Sequence, residues 1–236
     1  MAYRIPKKAN RYQKPPCGNT LNMSDPLARG IKAAYLLNEG AGSKVINYAH
    51  AVNGVVATPT TSWGRGYGGS SYKGNGSNTY VTLGSSSTNP WLNIPGEMTI
   101  VSMINLTNTS SLGSICTDGA SGYQWIFEAN RQAGKISIGW TSNLWVYSTA
   151  ALVANTWYTV GMTRSLSGCT YTASTWINGL FDNSGTTTTV PSSQQGSWIG
   201  RLSNSGQHFN GTIEYVYIWN RVLSSTEMLT IHEHPY

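Results

Sequence analysis

A chain of 236 residues can bury one large hydrophobic core, and only 10% of these residues are charged, against about a quarter in an average domain. The 26 Gly, 14 Tyr and 9 Trp suit strands and tight turns and exclude a helical bundle. The sequence contains neither a signal-peptide pattern nor an apolar run of membrane-spanning length, so we expect a protein made in the cytoplasm of its host cell, without a membrane partner.

The net charge of +6 is concentrated near the N-terminus. Five of the fifteen basic residues precede the first acid, Asp25, and these are Arg4, Lys7, Lys8, Arg11 and Lys14. The remainder carries ten basic against nine acidic residues and is almost neutral. A continuous basic groove is therefore not indicated, and we do not expect nucleic acid as a partner.

Residues 1–26 combine these cations with Pro6, Pro15, Pro16 and Pro26 and lack a hydrophobic period. We therefore predict an extended basic arm over 1–26 and one β-sandwich over 27–236 that folds without it. Cys17, Cys116 and Cys169 are too few for a disulfide framework, although a bridge between Cys116 and Cys169 remains open.

From Gly30 onward, runs of β-branched and aromatic residues recur between Gly, Asn and Ser turns, which predicts about a dozen strands. The clearest strands cover 31–37, 79–83, 98–106, 123–129, 135–140, 144–149, 156–163, 171–177, 197–202 and 212–219. Asn178-Gly179 predicts a type I′ hairpin. Ser224 and Glu227 predict a capping box at the start of a short C-terminal helix.

Six segments carry a family resemblance when they are taken in order. They are AAYLLNEGAG (33–42), NGVVATPTTSW (53–63), the Gly-bounded hairpin around Tyr72 (67–84), NTWYTVGMTRS (155–165), TASTWINGLF (172–181) and FNGTIEYVYIWNRVLSSTEM (209–228). Over 27–234 the chain resembles the laminin-G-like, concanavalin A-like lectin/glucanase jelly-roll family. The resemblance implies an all-β fold, a two-sheet antiparallel jelly-roll sandwich.

The chain departs from this family at positions that matter for ligands. Glu214 is followed by Tyr215 where the family often has an acidic pair, Asn47 replaces an acid, and Met103 replaces a Trp. The aspartates Asp25, Asp118 and Asp182 are scattered singly, so we expect neither a metal site nor a cofactor.

Enzymatic chemistry is not indicated by the acidic residues. Glycoside hydrolases need two nearby carboxylates, yet the sequence contains no Glu-x-Asp or Glu-x-x-Glu. His232 and His234 at the chain end are more typical of solvated residues than of metal ligands. We therefore predict no catalytic residues and a protein that is not an enzyme.

The aromatic residues offer the better candidates for a site. Trp63, Trp157, Trp176, Trp198 and Trp219 fall in segments that form the core in the family. The polar stretch from SGYQW to GWTSNLWVYS departs most from the family, and its aromatic rings could stack on sugars. The candidates for glycan stacking are Tyr123, Trp140, Trp145 and Tyr147.

Our hypothesis is a non-enzymatic virion structural protein, a capsid decoration or cement protein of a bacteriophage. The segments 24–42 and 229–236 resemble small laminin-G-like phage proteins. Arg4, Lys7, Lys8, Arg11 and Lys14 would anchor the arm to the major capsid or another virion protein. We further expect a homo-oligomer on the particle and a cell-surface glycan as a further partner. The alternatives are a carbohydrate-binding lectin or adhesin module, including a tail-associated host-recognition protein, and a glycoside hydrolase of the same fold.

Overall fold

The computed structural model describes residues 13–17, 19–85, 87–119, 122–140, 144–192, 196–202 and 206–236. These residues form sixteen strands, short 3-10 helices at Pro26–Ala28 and Pro90–Leu92, and one α-helix, α1 (Ser225–Glu233). The strands are β1 (Ile31–Tyr35), β2 (Lys44–Val45), β3 (Gly54–Val56), β4 (Trp63–Arg65), β5 (Ser70–Asn75), β6 (Val81–Gly84), β7 (Met98–Leu106), β8 (Gly113–Asp118), β9 (Trp125–Ala129), β10 (Ile136–Trp140), β11 (Leu144–Tyr147), β12 (Trp157–Ser167), β13 (Thr170–Ile177), β14 (Leu180–Thr187), β15 (Ser197–Ile199) and β16 (Asn210–Trp219). In this part of the chain, no helix is long and apolar enough to cross a membrane.

The strands form two antiparallel sheets of eight strands each, which confirms the predicted sandwich. Sheet A has the order β14-β13-β12-β7-β16-β5-β4, and β1 pairs with the C-terminal half of β16. Sheet B has the order β11-β10-β9-β8-β15-β6-β3-β2. The predicted hairpin at Asn178-Gly179 is also confirmed, because both residues have the positive φ that a type I′ turn needs.

The core lies between the sheets and follows from the alternation of side chains along each strand. In sheet B, one row of paired residues points inward: Val146, Ile138, Phe127, Cys116 and Ile199. Burial raises the pKa of the Cys116 thiol to about 12, so this thiol stays protonated. Cys169 is exposed, and the bridge between the two that the sequence left open does not form.

Arg164 closes one end of the sandwich from within. Its side chain is fully buried, and its Nε donates to the carbonyl of Gly96 at 2.8 Å. Its two terminal nitrogens donate to the carbonyls of Gln124 and Ile94. Burial lowers the pKa of the guanidinium to about 10, which still leaves it charged at neutral pH. Arg164 therefore ties β12 to the chain before β7 and to the start of β9.

The edge strands β11 and β14 are joined by side chains instead of a ladder. The Asp182 carboxylate accepts hydrogen bonds from the backbone N–H groups of Thr149 at 2.6 Å and Ala150 at 3.0 Å. The amide of Asn183 donates to the carbonyl of Tyr147 at 2.8 Å. These contacts occupy polar groups at both edges and fix β11 against sheet A.

The outer face of sheet A carries a second hydrophobic cluster. A bulge in β16 between Ile213 and Tyr215 breaks the alternation, so that Glu214 is the extra residue beside Tyr215. Beyond this bulge, alternate residues of β16 pack against α1 and against the chain before β1. The buried members of the cluster are Val101, Met103, Trp176, Tyr215, Trp219, Leu223, Met228 and Ile231.

Glu214 is fully buried beside this cluster and is surrounded by donors. Its carboxylate accepts from the backbone N–H groups of Tyr67 at 2.9 Å and Gly68 at 2.7 Å, and from the Ser71 hydroxyl. The Tyr236 hydroxyl donates to the same carboxylate at 3.0 Å. Burial raises the pKa of Tyr236, which keeps this hydroxyl protonated.

Lys14 completes the network. Its side chain is 3% exposed, and its Nζ lies 3.3 Å from Glu214 Oε1 and 2.6 Å from the carbonyl oxygen of Ser70. Burial lowers the pKa of Lys14 to about 8, an effect that Glu214 opposes. The structure therefore places Lys14 inside its own domain and not on an anchoring surface. Residues that pack into the domain, such as Lys14, therefore lie before the boundary that was predicted after residue 26.

The capping box predicted for α1 is confirmed. The Ser224 hydroxyl accepts from the Glu227 N–H, and the Glu227 side chain accepts from the Ser224 N–H at 2.8 Å. Arg221 donates from both terminal nitrogens to the same carboxylate, at 3.0 and 2.6 Å. These hydrogen bonds lower the pKa of Glu227 to about 2.

The first testable prediction concerns the buried pair. We expect Glu214→Gln to lower the free energy of unfolding by about 3–5 kcal/mol, because it leaves the Lys14 ammonium buried without its counter-charge. Adding Lys14→Met to this variant should recover part of the loss, with a coupling of about 0.5–3 kcal/mol. Urea unfolding of the two single variants and the double variant measures both quantities, and strictly additive losses would contradict the pairing.

The second testable prediction concerns the loss of folding stability at low pH. Because the folded-state pKa of Glu227 is depressed, its contribution to stability is present above the unfolded value of about 4.3 and is lost as the pH falls through about 2. Glu227→Gln should therefore cost on the order of 1 kcal/mol at pH 7 and progressively less as the pH falls to 2. Melting temperatures from pH 7 to 2 measure this, with Glu233→Gln on the exposed end of α1 as the control. A difference that persists undiminished at pH 2 would disprove it.

Candidate functional site

The outer face of sheet B carries a row of residues that alternates with the core row. In register across the sheet, this row contains Trp145, Gly139, Ile126, Thr117 and Trp198. Gly139 places no side chain between Trp145 and Ile126. Ile126 and Thr117 are fully buried, whereas the two tryptophans at the ends are only partly buried. The accessible surface of this row is therefore aromatic.

A second row beside it is polar. It contains Tyr147, Ser137, Glu128 and Ser114, paired in that order across β11, β10, β9 and β8. The Ser114 hydroxyl donates to Glu128 Oε1 at 3.2 Å. Ser137 is fully buried, and its hydroxyl has no hydrogen-bond partner among the described residues. Burial raises the pKa of the Glu128 carboxyl, an effect that Arg131 opposes.

Arg131 connects the two rows from the turn between β9 and β10. Its Nε donates to Glu128 Oε2 at 2.8 Å, and its guanidinium carbon lies 3.8 Å from the centroid of the Trp145 ring. Asn130 shapes this turn with φ of 66° and donates from its amide to the carbonyls of Asn108 and Ser111. The cation is thus held over one side of the indole.

A second cationic and aromatic group lies at the other end of the aromatic row. The guanidinium carbon of Arg201 lies 4.1 Å from the Tyr80 ring centroid and 5.2 Å from that of Trp198. His208 approaches Tyr80 with ring centroids 5.9 Å apart. We call the outer face of β8–β11 and β15, with Arg131 and Arg201, the sheet B face.

The predicted stacking residues divide between this face and the core. Trp145 and Tyr147 lie together on the sheet B face, two residues apart on β11. Trp140 does not, because it lies two residues after the inward Ile138 and is fully buried. Its Nε1 donates to the carbonyl of Thr189 at 2.9 Å, so its role as a stacking surface is corrected to a core role.

Tyr123 is half-buried and precedes β9. Its carbonyl oxygen accepts from the Ser192 N–H at 3.3 Å, and among the described residues no hydrogen bond or ring contact joins Tyr123 to Trp145 or Tyr147.

Three members of the sheet B face were not predicted from the sequence. Trp198 was expected in the core, and Arg131 and Arg201 were not singled out. The position of Trp198 could have been predicted, because Trp198 and the inward-pointing Ile199 are adjacent in one strand and therefore point to opposite faces of the sheet. The positions of both arginines depend on turns that periodicity does not describe. Of the predicted anchoring residues, Arg4, Lys7, Lys8 and Arg11 lie outside the described residues.

The acidic residues mostly have structural partners. Seven of the nine accept hydrogen bonds within the chain, and these are Asp25, Glu39, Asp118, Glu128, Asp182, Glu214 and Glu227. Glu97 and Glu233 are exposed. Over the described ranges, no group of three or more His, Cys, Asp or Glu side chains could hold a metal ion.

A cavity of about 380 Å³ lies on the opposite side of the molecule. It is lined by β1, β16 and α1 and by the chain before β1, with Tyr217, Trp219 and Tyr236 among its walls. The hydroxyl of Tyr217 donates to the carbonyl of Pro235, and Trp219 Nε1 donates to that of Leu27. Two of the polar groups in its walls are therefore engaged in holding the chain ends.

Comparison with solved structures identifies several proteins with the same fold. Domain 4 of AbnA, an extracellular arabinanase of Geobacillus stearothermophilus solved with arabinotriose, matches 86% of this chain and 98% of its own length, with 13% identity and a TM-score of 0.66. The binding domain of botulinum neurotoxin serotype D/C matches 88% of this chain over 52% of its own, with 12% identity and a TM-score of 0.67.

A sialidase of Trypanosoma rangeli matches 86% of this chain with 14% identity and a TM-score of 0.64. This chain spans only about a third of the sialidase, since 32% of that protein is covered. The sequence matches none of the curated proteins.

The sequence also matches a family model, Laminin_G_3, over residues 75–228, which is more than half of the chain. The matched range includes β6–β16 and therefore most strands of both sheets. The antiparallel sandwich and the family model agree, and the chain belongs to the concanavalin A-like lectin/glucanases superfamily.

Proposed function

We propose that this protein is a non-enzymatic carbohydrate-binding module that holds a saccharide on the sheet B face. The observation that carries the proposal is the partly exposed pair of Trp145 and Tyr147 on one side of β11, next to buried polar groups. Aromatic rings stack on the apolar faces of sugars, and nearby polar groups bond the hydroxyls.

The distribution of carboxylates supports binding in preference to hydrolysis. Glycoside hydrolases use two carboxylates on either side of the scissile bond. On the sheet B face, the structure describes one acidic side chain that points outward, Glu128, and it is held by Arg131 and Ser114. The arabinanase domain solved with arabinotriose also supports a binding function, since it is a domain of similar size and fold.

The test is a titration of the full chain with defined oligosaccharides, starting with arabinotriose and extending to acidic and neutral sugars of similar length. Trp145→Ala should weaken binding at least tenfold, which corresponds to about 1.4 kcal/mol. Trp63→Ala, which changes a partly buried Trp of sheet A, is the matched control and should leave the affinity unchanged. The same incubations should release no reducing sugar.

Two outcomes would overturn the proposal. In the first, no saccharide binds the wild-type chain at millimolar concentration. In the second, reducing sugar is released at a steady rate that Glu128→Gln abolishes, which would make the protein a hydrolase.

We further propose that the module is carried on a virus particle as a decoration protein, with its N-terminal segment as the tether. The supporting observation is that Lys14 is bonded to Glu214, which fixes the point of the domain to which the N-terminal segment is joined. That preceding segment contains four cations and no acid: Arg4, Lys7, Lys8 and Arg11. A tether of this kind adds contacts at high effective concentration.

The test replaces these four cations by Ser. We expect this variant to keep its melting temperature and to detach from purified virus particles. The change stops before Lys14, so the buried pair is preserved. Co-sedimentation at low and high salt measures the attachment, and the wild-type chain should itself be released at high salt. Equal retention of both chains would contradict the tether.

A further inference from the structure

The sheet B face also indicates the charge of its ligand, an inference that rests on the proposed function. We propose that the saccharide is anionic and that Arg131 binds its oxyanion substituent, a carboxylate, sulfate or phosphate, through the two terminal nitrogens of the guanidinium.

Arg131 is held in place before any ligand arrives. Its Nε is bonded to Glu128, and its planar group lies on the Trp145 ring at 3.8 Å. The side chain is 26% exposed, and neither terminal nitrogen is among the unpartnered polar atoms that are buried, so both keep contact with solvent. A cation fixed by a stacking ring and a carboxylate loses little further freedom when it binds a ligand.

The hydrogen-bond donors of Arg131 are mostly unused. A guanidinium has five N–H groups, and Arg131 uses the one on Nε. Its terminal nitrogens bond no residue that the structure describes. Arg164 and Arg221 differ, since both terminal nitrogens of each donate to carbonyls or to a carboxylate within the chain. Arg131 thus has the free fork that a bidentate oxyanion requires.

The charge of the surroundings favours an anion. Glu128 is the acidic side chain that points outward from the described strands of sheet B, and it is already paired. Asp118 of β8 points inward and accepts from the Ser197 hydroxyl at 2.6 Å. Lys135 lies in the same turn as Arg131, and Arg201 lies at the far end of the face. The face therefore carries an excess of positive charge.

The position of Arg131 relative to the aromatic pair specifies a sugar with an acidic substituent. Because the guanidinium lies over one side of the Trp145 ring, a ligand that contacts this ring or Tyr147 also comes within reach of the guanidinium. A saccharide can supply both parts, with its ring on the aromatic surface and its oxyanion on Arg131.

The experiment compares oligosaccharides of three or four sugars by calorimetry: trigalacturonic acid for the carboxylate, a carrageenan tetrasaccharide, which has sulfate but no carboxylate, for the sulfate, a mannose 6-phosphate trisaccharide for the phosphate, and arabinotriose and maltotriose as neutral probes. We expect at least one anionic probe to bind ten or more times more tightly than both neutral probes. Arg131→Gln should reduce the ratio of anionic to neutral affinity to about one. Arg131→Lys should give an intermediate loss, because it keeps the charge without the fork.

Two controls separate this site from general attraction to a basic protein. Arg65→Gln removes the same charge from an exposed position at the edge of sheet A and should have no effect. Replacement of Arg4, Lys7, Lys8 and Arg11 by Ser tests whether the N-terminal segment binds the anion and should also have no effect. Melting temperatures of all variants establish that each chain is folded.

The inference is overturned if neutral probes bind as tightly as anionic ones while Trp145→Ala still weakens both, which would leave the proposed function intact. Equal effects of Arg131→Gln and Arg65→Gln, or loss of anion binding only in the variant of the N-terminal segment, would overturn it as well. Failure of every probe to bind the wild-type chain would overturn both the inference and the proposed function.

Discussion

The strand register of sheet B is the constraint on which both the core and the proposed site depend. Side chains alternate with a period of two, so one register sends Phe127, Ile138 and Val146 inward and sends Trp145 and Tyr147 outward. A shift by one residue would expose the first set and bury the second. The core fixes this register because only one choice buries its large apolar side chains, and the aromatic and cationic surface is the opposite side of the same pairing.

The two outer faces of the sandwich have different environments, and this asymmetry decides which one is available to a ligand. On sheet A, α1 and the chain before β1 cover the aromatic residues of β16, and the buried Glu214 fastens Lys14 and Tyr236 over them. On sheet B, the aromatic residues at both ends of the face stay partly exposed. The buried ion pair therefore belongs to the side that is covered, and the proposed recognition lies on the side where aromatic rings stay partly exposed.

Local patterns predicted the elements that local interactions determine. β7 was predicted with its observed ends because nine consecutive strand-forming residues are bounded by Gly96-Glu97 and Thr107-Asn108, and the capping box and the Asn178-Gly179 hairpin depend on neighbours in sequence. The candidate site was predicted only in part. Trp140 and Trp145 share one polar stretch but lie on the antiparallel strands β10 and β11. Composition cannot predict that one side chain points into the core and the other points outward. Lys14 and Glu214 are 200 residues apart, and the bulge that buries Glu214 has no sequence signature.

The most direct test of the ligand face uses the indole N–H signals of the nine tryptophans in a two-dimensional NMR spectrum, assigned by single Trp→Phe changes. Trp145 and Trp198 lie on the sheet B face, Trp125 and Trp140 lie in the core, and Trp219 lies at the cavity on sheet A. If the saccharide binds on the sheet B face, titration with the tightest-binding oligosaccharide should shift the Trp145 signal most. The signals of Trp125, Trp140 and Trp219 should not move. A shift confined to Trp219, or to other tryptophans of sheet A, would contradict binding on the sheet B face and would place the binding site on the opposite side of the sandwich.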